Sequence, residues 1–202
     1  MDNLQACGTS RIAGCRFSLY PMTDDFVEVI LSALKEVDTS KVWKQTDDVS
    51  TCIRGRISHI FDVTKAIFLH AAKTGKHVVM SGTFSIGCPG DSEGDVYLVE
   101  NDIRLNTEKS AVITQPAACQ FALYPMGDGS YMDVIYREVQ KIKDQGVDVT
   151  SIHYATRLDG DTHAIFTGLE NCFTNVEKSG VSHVVMTFTI SANSPSAMKG
   201  AK

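Results

Sequence analysis

The chain has 202 residues and a mass of 22.0 kDa, with 43% hydrophobic and 21% charged residues and a net charge of −5 at pH 7. That balance excludes the basic surface that phosphate binding needs, so nucleic acid is not an expected partner, and a cationic small molecule suits it better. No stretch approaches the ~18 consecutive apolar residues of a membrane span, and Met1 to Thr9 lacks a basic region followed by an apolar run, so a soluble cytoplasmic protein is expected.

The first predicted element is a strand with Cys15, Phe17 and Leu19 on one face and Arg16, Ser18 and Tyr20 on the other, the period of a half-buried strand. It occurs twice. Cys15-Arg16-Phe17-Ser18-Leu19-Tyr20-Pro21-Met22 returns as Cys119-Gln120-Phe121-Ala122-Leu123-Tyr124-Pro125-Met126, with six of eight positions identical. Pro21 or Pro125 ends the strand. Thr23, Asp24 and Asp25, or Gly127 and Asp128, then suit a helix start. Apolar residues at helical spacing follow, Phe26, Val29, Ile30, Ala33 and Leu34 in the first copy and Tyr131, Val134, Ile135, Val139 and Ile142 in the second.

A second strand is expected through Val42 to Ile53, matched by Ile152 to Leu158, with a hairpin turn at Arg54-Gly55-Arg56 or Asp159-Gly160-Asp161. A third, Ile57 to Val63 or Thr162 to Gly168, leads into a short helix from about Thr64 to Thr74 or Leu169 to Ser179, closed by Gly75 or Gly180. The final strand carries His77-Val78-Val79-Met80 and Thr83-Phe84-Ser85-Ile86, repeated as His183-Val184-Val185-Met186 and Thr187-Phe188-Thr189-Ile190, with Ser81-Gly82 inserted in the first copy only. Thr51, Ile53, Gly55, Ile60, Phe61 and Gly75 also find like residues 105 positions later, at Thr156, Leu158, Gly160, Ile165, Phe166 and Gly180.

A period of roughly 100 residues is the length of a domain, so this is a tandem duplication and not a repeat array. The order βαββαβ, twice, predicts an α+β chain of two ferredoxin-like sandwiches, each an antiparallel sheet with helices on one face. The first domain is expected over 1–95, a connector over 96–114 with a short strand near Val96 to Val99, and the second domain over 115–202, with a frayed tail from Ser194. Each half alone is small. An extensive interface between them is expected, and the open face of each sheet calls for cover from a second sheet of the same chain or of a symmetry mate.

Six cysteines, at 7, 15, 52, 88, 119 and 172, show no C-x-x-C spacing, and Cys15 and Cys119 occupy equivalent apolar positions, so free buried thiols are expected and no metal or redox site. No catalytic motif stands out, and the histidines at 59, 70, 77, 153, 163 and 183 lack the spacing of a single metal site. His77 and His183 are the one duplicated pair, either hydrogen-bonded residues at the start of a strand or a ligand or base. Thr51 and Thr156 are small hydroxyls kept where their neighbours changed, either as β-branched strand residues or as donors and acceptors to a ligand. Tyr20 and Tyr124 either pack at a strand end or face a ligand. Asp47 and Asp48, replaced by His153 and Tyr154 near the corresponding place, are a solvated edge pair or part of a site that differs in charge between the copies.

The duplicated C-x-F-x-L-Y-P-M blocks, the leading Cys7-Gly8-Thr9-Ser10-Arg11-Ile12-Ala13-Gly14 and the twofold His-Val-Val-Met resemble the YkoF family over essentially the whole chain. The resemblance implies a homodimer with two ferredoxin-like domains per subunit. It also implies binding of thiamin through its hydroxymethylpyrimidine part, with no further cofactor, in uptake or salvage of that precursor alongside a membrane transporter. An aminopyrimidine both accepts and donates, and thiamin adds a fixed positive charge that carboxylates or aromatic faces can meet. Chemistry and duplication then nominate Thr51, Asp47, Asp48, Ser18 and Tyr20 in the first module and Thr156, His153, Tyr154 and Tyr124 in the second. The change from Ser18 to Ala122 and the loss of the acidic pair point to unequal pockets. A non-catalytic binding protein is the leading expectation; a cofactor-independent enzyme and a metabolite-sensing regulatory module are the alternatives.

Overall fold

The computed structural model describes residues 12–87, 101–127 and 131–196. The first half of the chain forms β1 (Ala13–Pro21), α1 (Phe26–Glu36), β2 (Trp43–Thr46), β3 (Thr51–Gly55), α2 (Ile57–Ala72) and β4 (Val78–Ile86). A short helix, α3 (Thr107–Ala111), precedes the second half, which repeats the order as β5 (Pro116–Met126), α4 (Tyr131–Asp144), β6 (Asp148–Ile152), β7 (Ala155–Asp161), α5 (Thr162–Lys178) and β8 (His183–Ala192). The chain is an α+β tandem duplication of the ferredoxin-like βαββαβ sandwich. The expected strand at Val96 to Val99, the thiols of Cys7 and Cys88, and Asp128 lie outside the described residues.

The two half sheets are one sheet. Eight strands run in the order β2-β3-β1-β4-β8-β5-β7-β6, every neighbour antiparallel, and the last strands of the two halves pair from Val78↔Ala192 to Ile86↔Val184. Alternation along each strand sends Cys15, Phe17, Met80, Phe84, Cys119, Phe121, Met186 and Phe188 to the buried face. The long helices cover that face as one layer, α1 beside α2, α2 beside α5 and α5 beside α4. Beneath the seam the rings of Phe61 and Phe84 stack at 4.0 Å and those of Phe84 and Phe188 at 4.9 Å, with Phe173 tilted against both Phe61 and Phe84. Gly82 makes this close approach possible: a Cβ there would lie 2.8 Å from the Arg16 carbonyl and 2.9 Å from both Phe17 Cβ and Phe188 Cε1.

Three expectations are corrected. The hairpin turns fall at Asp47–Ser50 and His153–Tyr154, not at the glycine triplets, because Gly55 and Gly160 lie inside β3 and β7. The predicted third strand does not exist: Ile57 to Val63 and Thr162 to Gly168 are the opening turns of α2 and α5. Asp161, read as a turn residue, caps α5 by accepting from the His163 backbone N–H at 2.8 Å. The run of β-branched and aromatic residues in α2 reflects burial from several sides, since sheet, α1, α3 and α5 all pack on it and His59 to Thr64 is wholly buried.

The connector is fastened across both halves. Asp62 Oδ2, buried in α2, accepts from the backbone N–H groups of Leu105 and Asn106 and from Asn106 Nδ2 at 3.2, 3.1 and 2.9 Å. Arg56 and Ser58 hold Asp102, whose carboxyl these hydrogen bonds lower to about 2, and Arg104 reaches Glu170 on α5 at 2.6 Å. Cys15, Cys119 and Cys172 are buried thiols, and burial raises the pKa of each, which makes them poor nucleophiles.

Two measurements check this account. Gly82→Ala should cost about 1–3 kcal/mol in urea unfolding through the contacts its Cβ meets, and an unchanged midpoint would contradict the close approach. His59 and His70 are buried, neither Nε2 has a partner among the described residues, and burial holds both below the ordinary histidine value. The unfolded chain therefore takes up protons that the fold refuses. Stability should be full above the ordinary histidine pKa of about 6.5 and fall as pH drops through it; a flat profile between about pH 7.5 and 5.5 would refute this.

Candidate functional site

β1 is longer than the strand beside it. It pairs with β4 along its whole length, Ala13 to Pro21, but with β3 only from Ala13 to Phe17. Alongside Ser18 to Pro21 the place of a neighbouring strand is taken by the Asp47–Ser50 turn and by a cavity of about 460 Å³. Phe17, Leu19 and Pro21 of β1, Phe26, Ile30 and Leu34 of α1, and Ile67 of α2 form its apolar walls. α1 starts directly after Asp25, and it leaves Phe26 half-exposed (49%) because that ring stands at the cavity mouth and not in the core.

All five residues nominated in the first module, Ser18, Tyr20, Asp47, Asp48 and Thr51, line this one cavity. Thr51 opens β3 opposite Phe17, and its hydroxyl lies 3.0 Å from that of Thr46. Asp47 is committed to the turn: Oδ1 accepts from the Val49 and Ser50 backbone N–H groups at 2.9 and 2.8 Å, and Oδ2 from Arg16 Nη1 at 3.2 Å. Those two amides, and then the Arg16 guanidinium, hold its carboxyl below the usual carboxylate range. Ser18 donates to the Val49 carbonyl at 2.8 Å. Tyr20, 48% exposed, is on the rim. The turn therefore brings Asp48, Thr51 and Ser50 to the cavity with Asp47 as its keystone.

The four residues nominated in the second module are not gathered in this way. Thr156 pairs with Phe121 on the helix side of the sheet, whereas Tyr124 and Tyr154 line a depression of about 400 Å³ on the opposite, open face, together with Tyr20, Gln120, Thr187 and Thr189. His153 and Tyr154 form the β6–β7 turn, with their ring centroids 6.2 Å apart. Tyr154 is fully exposed and sits at φ 66°, a left-handed position where a non-glycine residue is uncommon.

His77 and His183 lie on the open face and bond across the seam, His77 Nε2 with Ser191 Oγ at 3.0 Å and His183 Nε2 with Ser85 Oγ at 2.9 Å. Each joins one half of the chain to the other. Among the described residues no cluster of three or more His, Cys, Asp or Glu has the arrangement to hold a metal ion, and no helix is long and apolar enough to cross a membrane. Sequence reasoning missed Thr46, Ser50, Met22 and the α1 wall of the cavity. An aromatic residue at the first turn of α1, in register with its apolar stripe yet beside Pro21-Met22, is the signal that was there to find.

The model of the YKOF-related Family matches residues 12–91 and again 116–197. The chain is 56% identical over 190 residues, 94% of either protein, to the "Putative HMP/thiamine-binding protein YkoF" of Bacillus subtilis (strain 168). A solved domain of unknown function, DUF77 from Bacillus cereus, is a weak likeness: TM-score 0.35 and 16% identity over 38% of this chain and 75% of that one.

The hydroxyl pair of Thr46 and Thr51 is exposed to the cavity, so Thr51→Val, which keeps the branched shape, should shift stability by no more than about 0.5 kcal/mol in urea unfolding. A loss above about 2 kcal/mol would show instead that Thr51 is part of the core. Asp47→Ala should speed hydrogen exchange at the Val49 and Ser50 amides and leave β1 protected.

Proposed function

This chain belongs to the YkoF-related family, and on that premise we propose that it is a non-catalytic protein that binds thiamin through its hydroxymethylpyrimidine part. The observation that carries the reading is the convergence of Thr51, Ser18, Asp47, Asp48 and Tyr20 on one cavity of about 460 Å³ with apolar and aromatic walls. Small-molecule sites are of this kind, mostly apolar with a few polar groups that fix orientation, and roughly 300–1,000 Å³ in volume. The name of the 56% identical relative supports the choice of ligand.

In this reading the pyrimidine ring enters between Phe17 and Phe26. Hydroxyls of Thr51 and Ser50 serve as both donors and acceptors to its ring nitrogens and exocyclic amine. Asp48 and the Tyr20 ring, at the rim, face the thiazolium charge. Each module, residues 1–95 and 115–202, holds one pocket, and the second is weaker because it lacks Ser18 and the acidic pair. The protein acts in the cytoplasm as a homodimer and supports uptake or salvage of the precursor together with a membrane transporter.

Calorimetric titration of the full chain with thiamin, and separately with hydroxymethylpyrimidine, should show saturable binding at two unequal sites. Thr51→Val should weaken the tighter site by about two- to tenfold, the worth of one hydrogen bond, and Thr156→Val should weaken only the other. No heat at several temperatures and no thermal stabilisation by either compound would overturn the proposal, as would equal losses from the two valine variants.

A further inference from the structure

The two modules share their frame, yet the segment that follows Thr46 differs from its counterpart in the second half in a concerted way. Four side chains fasten the Asp47–Ser50 turn to β1. Arg16 Nη1 donates to Asp47 Oδ2 at 3.2 Å and to Ser50 Oγ at 2.8 Å, Ser18 Oγ donates to the Val49 carbonyl at 2.8 Å, and Asp47 folds the turn on itself through the Val49 and Ser50 amides. At the equivalent positions of the second module stand Gln120, Ala122, Ile152 and Ala155. All four fastenings are missing at once. There the β6–β7 ladder runs one pair further, to Ile152↔Ala155, and only His153 and Tyr154 are left to turn. Equal chain length thus gives a folded turn bound to β1 in one module and a plain hairpin in the other.

Arg16 and Ser18 extend from the sheet face opposite the core, by the alternation that buries Cys15 and Phe17, and reach the turn from that face, Ser18 at the edge of the cavity that the turn residues and Thr51 line. We infer that the Asp47–Ser50 turn is a clasp that closes the first-module cavity over its occupant, with Arg16 and Ser18 as the positioning residues that hold it. The clasp deepens the binding reading given above, on which its ligand rests, and it makes the first site the slow-releasing one. A clasp that must unfasten before its occupant leaves slows the escape.

The test uses the full chain with Arg16→Gln and Ser18→Ala combined, the two residues that the second module carries. Thiamin should leave the first site about three- to tenfold faster, with the second site unchanged. Arg16→Lys, which keeps one charged donor, should recover part of the loss. The reciprocal change, Gln120→Arg, Ala122→Ser, Ile152→Asp and Ala155→Ser together, should slow release from the second site. Closure is also read without any ligand: in a Thr51→Cys background, maleimide labelling of the peptide that holds residue 51 should quicken when Arg16 and Ser18 are replaced, while urea unfolding stays cooperative. Unchanged labelling overturns the clasp, and so does unchanged release of a ligand that the parent chain binds. If the parent binds neither thiamin nor hydroxymethylpyrimidine, the ligand reading falls and labelling alone decides the clasp.

Discussion

The pairing of β4 with β8 is the constraint on which the rest of the molecule depends. Two four-stranded sheets of this kind would each carry an open edge along the last strand, and the antiparallel ladder from Val78↔Ala192 to Ile86↔Val184 removes both edges at once. It also brings α2 against α5 and stacks Phe61, Phe84 and Phe188 beneath the join, so the core of each half is completed by the other. Neither half is large enough to bury much apolar surface alone. On the opposite face His77 and His183 repeat the joining with polar groups, each to a serine of the other half. The connector adds a third tie, with Asp62 on α2, Arg56 just before its first turn and Glu170 on α5 as its anchors.

Away from the seam that fixes the centre, the two copies differ in chemistry, and the outer turns are among the places where they do. Core positions such as Phe61 and Phe166, or Met80 and Met186, have stayed alike because a close-packed interior tolerates little change in volume. The turns at the far ends of β2–β3 and β6–β7 lie at the periphery, and there the chemistry changes from Asp47-Asp48-Val49-Ser50 to Ile152-His153-Tyr154-Ala155.

What the sequence showed, and what it hid, follows from the same physics. The duplication, the first strand, the amphipathic α1 and α4 and the final strand were legible because each has one buried and one solvated face, and periodicity reports such asymmetry. α2 and α5 were misread as strand plus short helix because helices packed on several sides lose that asymmetry, and Ile57 to Val63 then looks like a strand. The glycine triplets misled because Asp161 serves as a helix cap and Gly160 as a strand residue, roles that the Asp-Gly dipeptide alone does not distinguish. Thr51, Asp47 and Asp48 were found together because they are neighbours in the chain, and Ser18 and Tyr20 because duplication marked their strand. The α1 wall was invisible since Phe26 and Ile30 fit an ordinary apolar stripe, and only the shortness of β3 beside β1 shows that they border a space.

That shortness carries the last step. A sheet in which every strand ran to the same level would place Asp48 and Ser50 in a ladder, with their backbone groups paired and no room between β1 and α1. The β1–β3 ladder ends at Phe17↔Thr51, the four residues Ser18 to Pro21 border the cavity without a β3 partner, and side chains hold the turn there: Asp47 on the turn amides and Ser18 on the Val49 carbonyl. Hydrogen bonds from side chains in that role can break and re-form without disturbing the ladder behind them, which is the property that the proposed clasp requires. The seam is held by a continuous backbone ladder and the rim by side chains, so the two parts of the platform are secured by bonds of different kinds.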